Sequence, residues 1–257
     1  MWLETDSEHF TARHSELDSD GAEAVLAMLE RAREGLREAL REVPDGVPVV
    51  LHGTTAQLHA AQPLLPLAVR ITAPASRRYL VGWPGRDAIH VLAPSVLEER
   101  ASAVPGSREM LLLAPAALYA QLAVQASNPR LRRARRLRWA WLVAGAAQYL
   151  SGQTAHARPA VRRRLHEGRE PAFPPALRDA HLLGGTVLDL LAREEGPDAV
   201  AGLVAVAGDA PPGETLERAF GGRAVRHTEA AWRTHLWRLA GGGDRTSGYD
   251  HSPFPHR

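Results

Sequence analysis

Twelve histidines and a dense run of arginines are the first candidates for chemistry in this 257-residue chain. An imidazole can bind a transition metal or move a proton near neutral pH. Metal binding demands convergence: two histidines four residues apart share one helix face, and a third ligand must reach them from elsewhere. His227, Glu229 and His235 fall on one predicted helix, but spacings of two and eight do not bring them to one ion. His251 and His256 belong to a polar terminal stretch and are expected to be solvated. The run RLRRARRLR, Arg130 to Arg138, offers an electrostatic footprint for nucleic acid or another anionic surface. A plainer reading puts Leu131, Ala134 and Leu137 on an apolar stripe leading to Trp141, with the arginines on the solvated side. No aromatic side chains for base stacking interrupt the run, and the formal net charge is only +2, so nucleic acid is not the expected partner.

Whole classes of chemistry are excluded by what the sequence omits. Without cysteine there are no disulfides, thiolate nucleophiles or Cys-rich zinc sites. Every basic residue is arginine, and the absence of lysine removes the P-loop, Schiff-base chemistry and a kinase-like phosphate lysine. Neither G-x-G-x-x-G nor G-x-S-x-G occurs. No run approaches the roughly 18 uninterrupted apolar residues of a membrane span. The opening MWLETDSEHF is acidic and lacks the basic-then-apolar order of a secretory leader, so the expected location is cytoplasmic.

The elements that must position any site divide between the two halves of the chain. WLETDSEHFTAR alternates as a strand or short hairpin, with Phe10 and Ala12 on one side. Asp20 and Glu23 suggest a capping box for a long helix whose buried stripe is Val25, Leu29, Ala32, Leu36 and Leu40, ending at the turn PDG. VPVVLHG reads as a buried strand, and RYLVGW with AIHVLAP, joined by PGRD, as a hairpin. Helices are expected at 108–127, 130–151, 176–194, 197–207, 213–220 and 226–239. Gly145, Gly184 and Gly185 lie inside apolar runs, where they would let helices approach closely. The chain is therefore expected to be a single α+β domain over 1–240, followed by a disordered tail, 241–257, rich in Gly, Pro and polar residues.

Two stretches carry a family resemblance. LLAPAALYA, Leu112 to Ala120, falls where gluzincin-type zinc metallopeptidases, especially bacterial peptidase-MA-like domains, have L-L-A-H-E-L-x-H-A. WLVAGAAQYLSG, Trp141 to Gly152, resembles their W-L-x-E-G-L-A-x-Y-x-S-G. SEHFTARH near the start, and LLGGTVLDLLAREEG with the closing Glu229 and Trp232, are similar to further parts of the pattern, so the resemblance spans roughly residues 6 to 240. It implies a zincin-like fold: an N-terminal mixed sheet with a long helix, then a mostly helical half.

In such peptidases two histidines of one helix and a glutamate from the next hold zinc, while a glutamate beside the first histidine activates water. The resemblance puts Pro115, Ala116, Tyr119 and Ala144 at those positions. Proline and alanine offer no donor, and a phenol with a pKa near ~10 is an uncommon zinc ligand. Pro115 should also start or kink its helix. The implied protein is a degenerate family member, a pseudo-peptidase with neither metal nor cofactor, whose vestigial cleft would hold a peptide or protein partner. Tyr119, His181, His90 and Tyr149 are the residues expected to line it, and the strand AIHVLAP is expected to border it. Alternatives are a metal-independent hydrolase using Tyr119 and His181, or a binding module acting through Arg130–Arg138. The structural reading of Tyr119 is a packed aromatic whose hydroxyl meets a polar neighbour, and that of His181 a hydrogen-bonded histidine.

Overall fold

The computed structural model describes residues 1–85, 88–132 and 137–241. Strand β1 (Trp2–Asp6) pairs antiparallel with β2 (Phe10–Ser15), so the first alternating stretch is a hairpin. Helix α1 (Ser19–Ala39) crosses over to β3 (Val47–His52), which lies parallel to β2. Three short helices follow: α2 (Thr55–Ala61), α3 (Leu65–Ile71) and α4 (Pro74–Arg77). The second hairpin is shorter than its sequence suggests, with β4 (Gly82–Pro84) antiparallel to β5 (Ile89–Leu92). The five strands make one mixed sheet in the order β1-β2-β3-β5-β4.

Helices make up the rest: α5 (Pro94–Arg100), α6 (Ser107–Leu112), α7 (Ala114–Ser127) and α8 (Ala140–Leu150). After them come α9 (Gln153–His156), α10 (Arg158–Leu165) and α11 (Leu177–Glu195). The chain closes with α12 (Asp198–Val206), α13 (Pro212–Ala219) and α14 (Val225–Gly241). The protein is thus α+β, with the sheet at the N-terminal end and helices beyond it.

Strand alternation decides which face of the sheet is covered. Phe10, Ala12, Val49, Leu51, Ile89 and Val91 are all buried on one face, toward α1 and α7. The stripe Val25, Leu29, Ala32, Leu36, Leu40 of α1 is buried as its spacing requires. One contiguous apolar core runs from Phe10 to Leu236. Helix α14 includes Gly241, and residues 242–257, the remainder of the expected tail, lie outside the described residues.

Several local expectations are corrected. The α1 N-cap is Asp18 rather than Asp20, and no side-chain capping bond forms. The Asp18 carboxylate instead accepts from Ser15 Oγ at 2.8 Å and Ser95 Oγ at 3.0 Å, tying the end of β2 to the first turn of α5. The helix expected at 108–127 divides at Leu113, and Pro115 is seated in the first turn of α7. Proline has no N–H to continue a ladder, and the first turn is where that loss is tolerated. The helix expected at 130–151 is confined to Ala140–Leu150, after a 3-10 turn at Pro129–Arg132. Its proposed stripe fails with it: Leu131 and Trp141 are buried, but Leu137 is 72% exposed, and Ala134 lies outside the described residues.

The glycine expectation holds with a specific geometry. A Cβ on Gly145 would lie 2.6 Å from Gly184 O, and one on Gly184 would lie 2.9 Å from Gly145 Cα. Helices α8 and α11 therefore cross backbone against backbone. Trp232 of α14 packs against α11, fully buried, and its indole N–H donates to Thr186 Oγ1 at 2.9 Å.

Candidate functional site

Helix α7 carries three of the four motif positions and runs under the sheet, packing on β4 and β5 above and on α8 beside it. Pro115, Ala116 and Tyr119 are all buried. The Tyr119 ring meets Phe10 edge to face at 4.8 Å, and its hydroxyl donates to the Pro44 carbonyl at 2.7 Å. Burial pushes the phenol well above its usual pKa, an effect the nearby Arg33 opposes and Asp45 reinforces. It is a neutral donor already committed to a backbone acceptor, and solvent does not reach it. Ala144 is half-buried on α8. These four side chains cannot supply a zinc centre: two alanines and a proline have no donor atom, and the phenol is held protonated.

The other expected cleft residues occupy separate settings. His90 lies on β5, on the face of the sheet opposite Ile89 and Val91, stacked on His52 of β3 with ring centroids 5.3 Å apart. His52 Nε2 and His90 Nδ1 are 3.1 Å apart, so one imidazole donates to the other. Burial, helped by His90, pushes the His52 pKa down to about 4, and burial lowers that of His90. Both rings are neutral at pH 7. His181, on α11, has its ring Nδ1 2.9 Å from the Gln148 amide nitrogen, which also donates to the His181 carbonyl. Burial lowers its pKa as well. Tyr149 stands half-buried on α8, its pKa raised by burial and then by the charge of Asp189. Asp189 lies 2.8 Å from His235 Nε2 and accepts from Arg193 Nε at 2.9 Å. Burial would raise the Asp189 pKa, but these two partners hold it below the usual carboxylate range.

AIHVLAP is not an edge of the sheet. Strand β5 is paired on both sides, to β3 and to β4, and the free edge belongs to Gly82–Pro84. An extended peptide has no unpaired ladder on β5 to join. On α14, Glu229 pairs with Arg233 and His235 turns toward Asp189. Among the described residues no group of three or more His, Asp or Glu side chains is arranged to hold a metal. Of the arginine run, Arg130 is paired with Asp209, Arg138 is exposed, and residues 133–136 lie outside the described residues.

A different cleft was not anticipated. About 950 Å³ in volume, it opens between the loop before α6, the α9–α10 segment and the end of α14. Arg158, Arg162 and His166 present themselves along one exposed side of it. Arg164 turns the other way and is buried, Nε donating to Asp179 Oδ1 at 2.5 Å and an Nη to Oδ2 at 2.8 Å. The signal was present in RPAVRRRLH: positions 158, 162 and 166 recur every four residues, while Ala160, Val161 and Leu165 fill the inner side.

No family model, curated protein or solved structure matches the chain. Among the described residues no helix is long and apolar enough to cross a membrane.

Proposed function

We propose that this domain binds a partner rather than cleaves one: a zincin-like scaffold, of the gluzincin plan, that has neither the metal nor the reaction. One observation carries the reading. Each motif position on α7 is absorbed into packing, with Pro115 in the first turn, Ala116 in the core and the Tyr119 hydroxyl spent on Pro44 O. The order of pieces adds support, since a mixed sheet with an antiparallel edge strand lies over α7, and α8 packs beside it. Hydrolysis through Tyr119 and His181 is disfavoured because a nucleophilic phenol needs a lowered pKa and Tyr119 has a raised one. Elemental analysis of the purified protein, joined to a broad peptide-library digest, tests the proposal. The expected result is less than stoichiometric zinc, a melting temperature indifferent to chelator, and no cleavage. One tightly held zinc per chain, or cleavage abolished by chelator, would overturn it.

A further inference from the structure

We propose that the cleft beside α10 binds a small ligand carrying two linked phosphate groups and a flat ring. This does not depend on the zincin-like reading. At about 950 Å³ the cleft falls within the size range of small-molecule sites. Among the described residues its charge is unbalanced. Some arginines nearby are paired, as Arg163 is with Glu167, Arg193 with Asp189 and Arg233 with Glu170 and Glu229, while Arg169, Arg178 and Arg238 are exposed with no side-chain partner among the described residues. Arg158 and Arg162 are exposed too, and among the described residues neither side chain makes a hydrogen bond or ion pair. Four apart on a helix, two like charges repel weakly and gain nothing structurally. Held about 6 Å apart at their bases, their planar guanidinium forks are able to close on adjoining phosphates, two oxygens to each fork. In a chain without lysine, arginine is the cationic side chain left for phosphate recognition.

The opposing charges are smaller. Glu167 is spent: its Oε2 accepts from Ala75 N and its Oε1 from Arg163 Nε, both at 3.0 Å. The carbonyl end of α14, at Ala240 and Gly241, contributes only about half a negative charge against two full positive ones. His166 donates from Nδ1 to Arg162 O at 2.7 Å, which leaves Nε2 for a ligand. The edge of its ring meets Trp237 at 6.5 Å. Trp237 is 58% exposed and does not itself line the cleft, but it stands next to His166, which does.

Calorimetric titration of the full chain with ADP, pyrophosphate and adenosine decides the matter. ADP should saturate one site, more tightly than pyrophosphate, and adenosine should not bind measurably. The double variant Arg158→Gln, Arg162→Gln should weaken ADP at least ~10-fold, and Trp237→Ala should weaken ADP about 10-fold while leaving pyrophosphate unchanged. All three side chains are exposed, so melting temperatures should match the parent. A control, Arg130→Gln, lies outside the cleft and should bind as the parent does. Failure of ADP to saturate, ADP no tighter than pyrophosphate, or equal weakening in the control would overturn the proposal. So would binding of a single-stranded oligonucleotide without saturable ADP binding, which would mark a nucleic-acid surface instead.

Discussion

Gly145 and Gly184 touch through their backbones, and neither position has room for a methyl group. Gly184→Ala would drive a Cβ into the Trp141 carbonyl and Gly145, so α8 and α11 would have to separate. A loss at or above the ~1–3 kcal/mol of ordinary overpacking is expected, measured as a lower urea midpoint. Gly202 makes the converse case. It is exposed on α12 with nothing within 4 Å, and Gly202→Ala should stabilise by about 0.5–1 kcal/mol. If both alanines behaved alike, the crossing would not be as close as described.

Tyr119→Phe removes one hydroxyl and leaves the Pro44 carbonyl without its donor. The cost should be about 1–2 kcal/mol, with the ring packing on Phe10 retained. Urea unfolding measures it; an unchanged midpoint would mean the bond contributes nothing.

Arg164 and Asp179 are each about 5% exposed or less and bonded at two points. Asp179→Ala would leave a buried guanidinium with only the Glu167 and Arg169 carbonyls, at an expected cost of about 3–5 kcal/mol. Trp232→Ala should cost a similar ~3–5 kcal/mol through lost transfer free energy and a cavity. Thermal denaturation distinguishes these variants from surface ones; a shift of less than 2–3 °C (about 1 kcal/mol for a domain of this size) in either would contradict the burial.

Acid should weaken the fold through His52. Its pKa in the folded chain is about 4, below the ordinary 6.5, because burial and the neighbouring His90 disfavour the charged ring. A lowered histidine pKa means the unfolded chain takes up the proton first. The stabilisation is therefore complete above pH 6.5 and is lost as pH falls from 6.5 toward 4, by on the order of 3 kcal/mol. Urea midpoints at pH 7 and pH 5 should differ less in His52→Gln than in the parent. An identical pH dependence in the two proteins would refute this assignment.

The long periodic elements were legible in the sequence because burial on one side imposes their spacing. The α1 stripe, the first hairpin and α11 to α14 follow that rule. Helices α2 to α5 and α9 were missed because each has seven residues or fewer, too few to show a period. At 130–151 the arginines and Leu137 imitated an amphipathic helix that is absent around the turn at 137–139. Tertiary geometry that no local pattern records sets His90 on the face of the sheet opposite the one where Phe10 meets Tyr119. His90 points away from α7 simply because strand side chains alternate, and β5 lost its edge to a strand of only three residues. In α10 the reverse holds: a four-residue repeat of Arg158, Arg162 and His166 was readable, but it stood beside Arg163 and Arg164, which serve other ends.

The enclosure of α7 bears on any attempt to rebuild a metal centre there. From Ala114 to Ala120 every residue is buried, and only Gln121, Leu122 and Ser127 reach partial exposure. Histidines written in at 115 and 119 would project toward the sheet, where a substrate has no route of entry and an ion no water to exchange. Such an ion would act as a rivet, adding to the free energy of folding with its coordination closed, and it would turn nothing over.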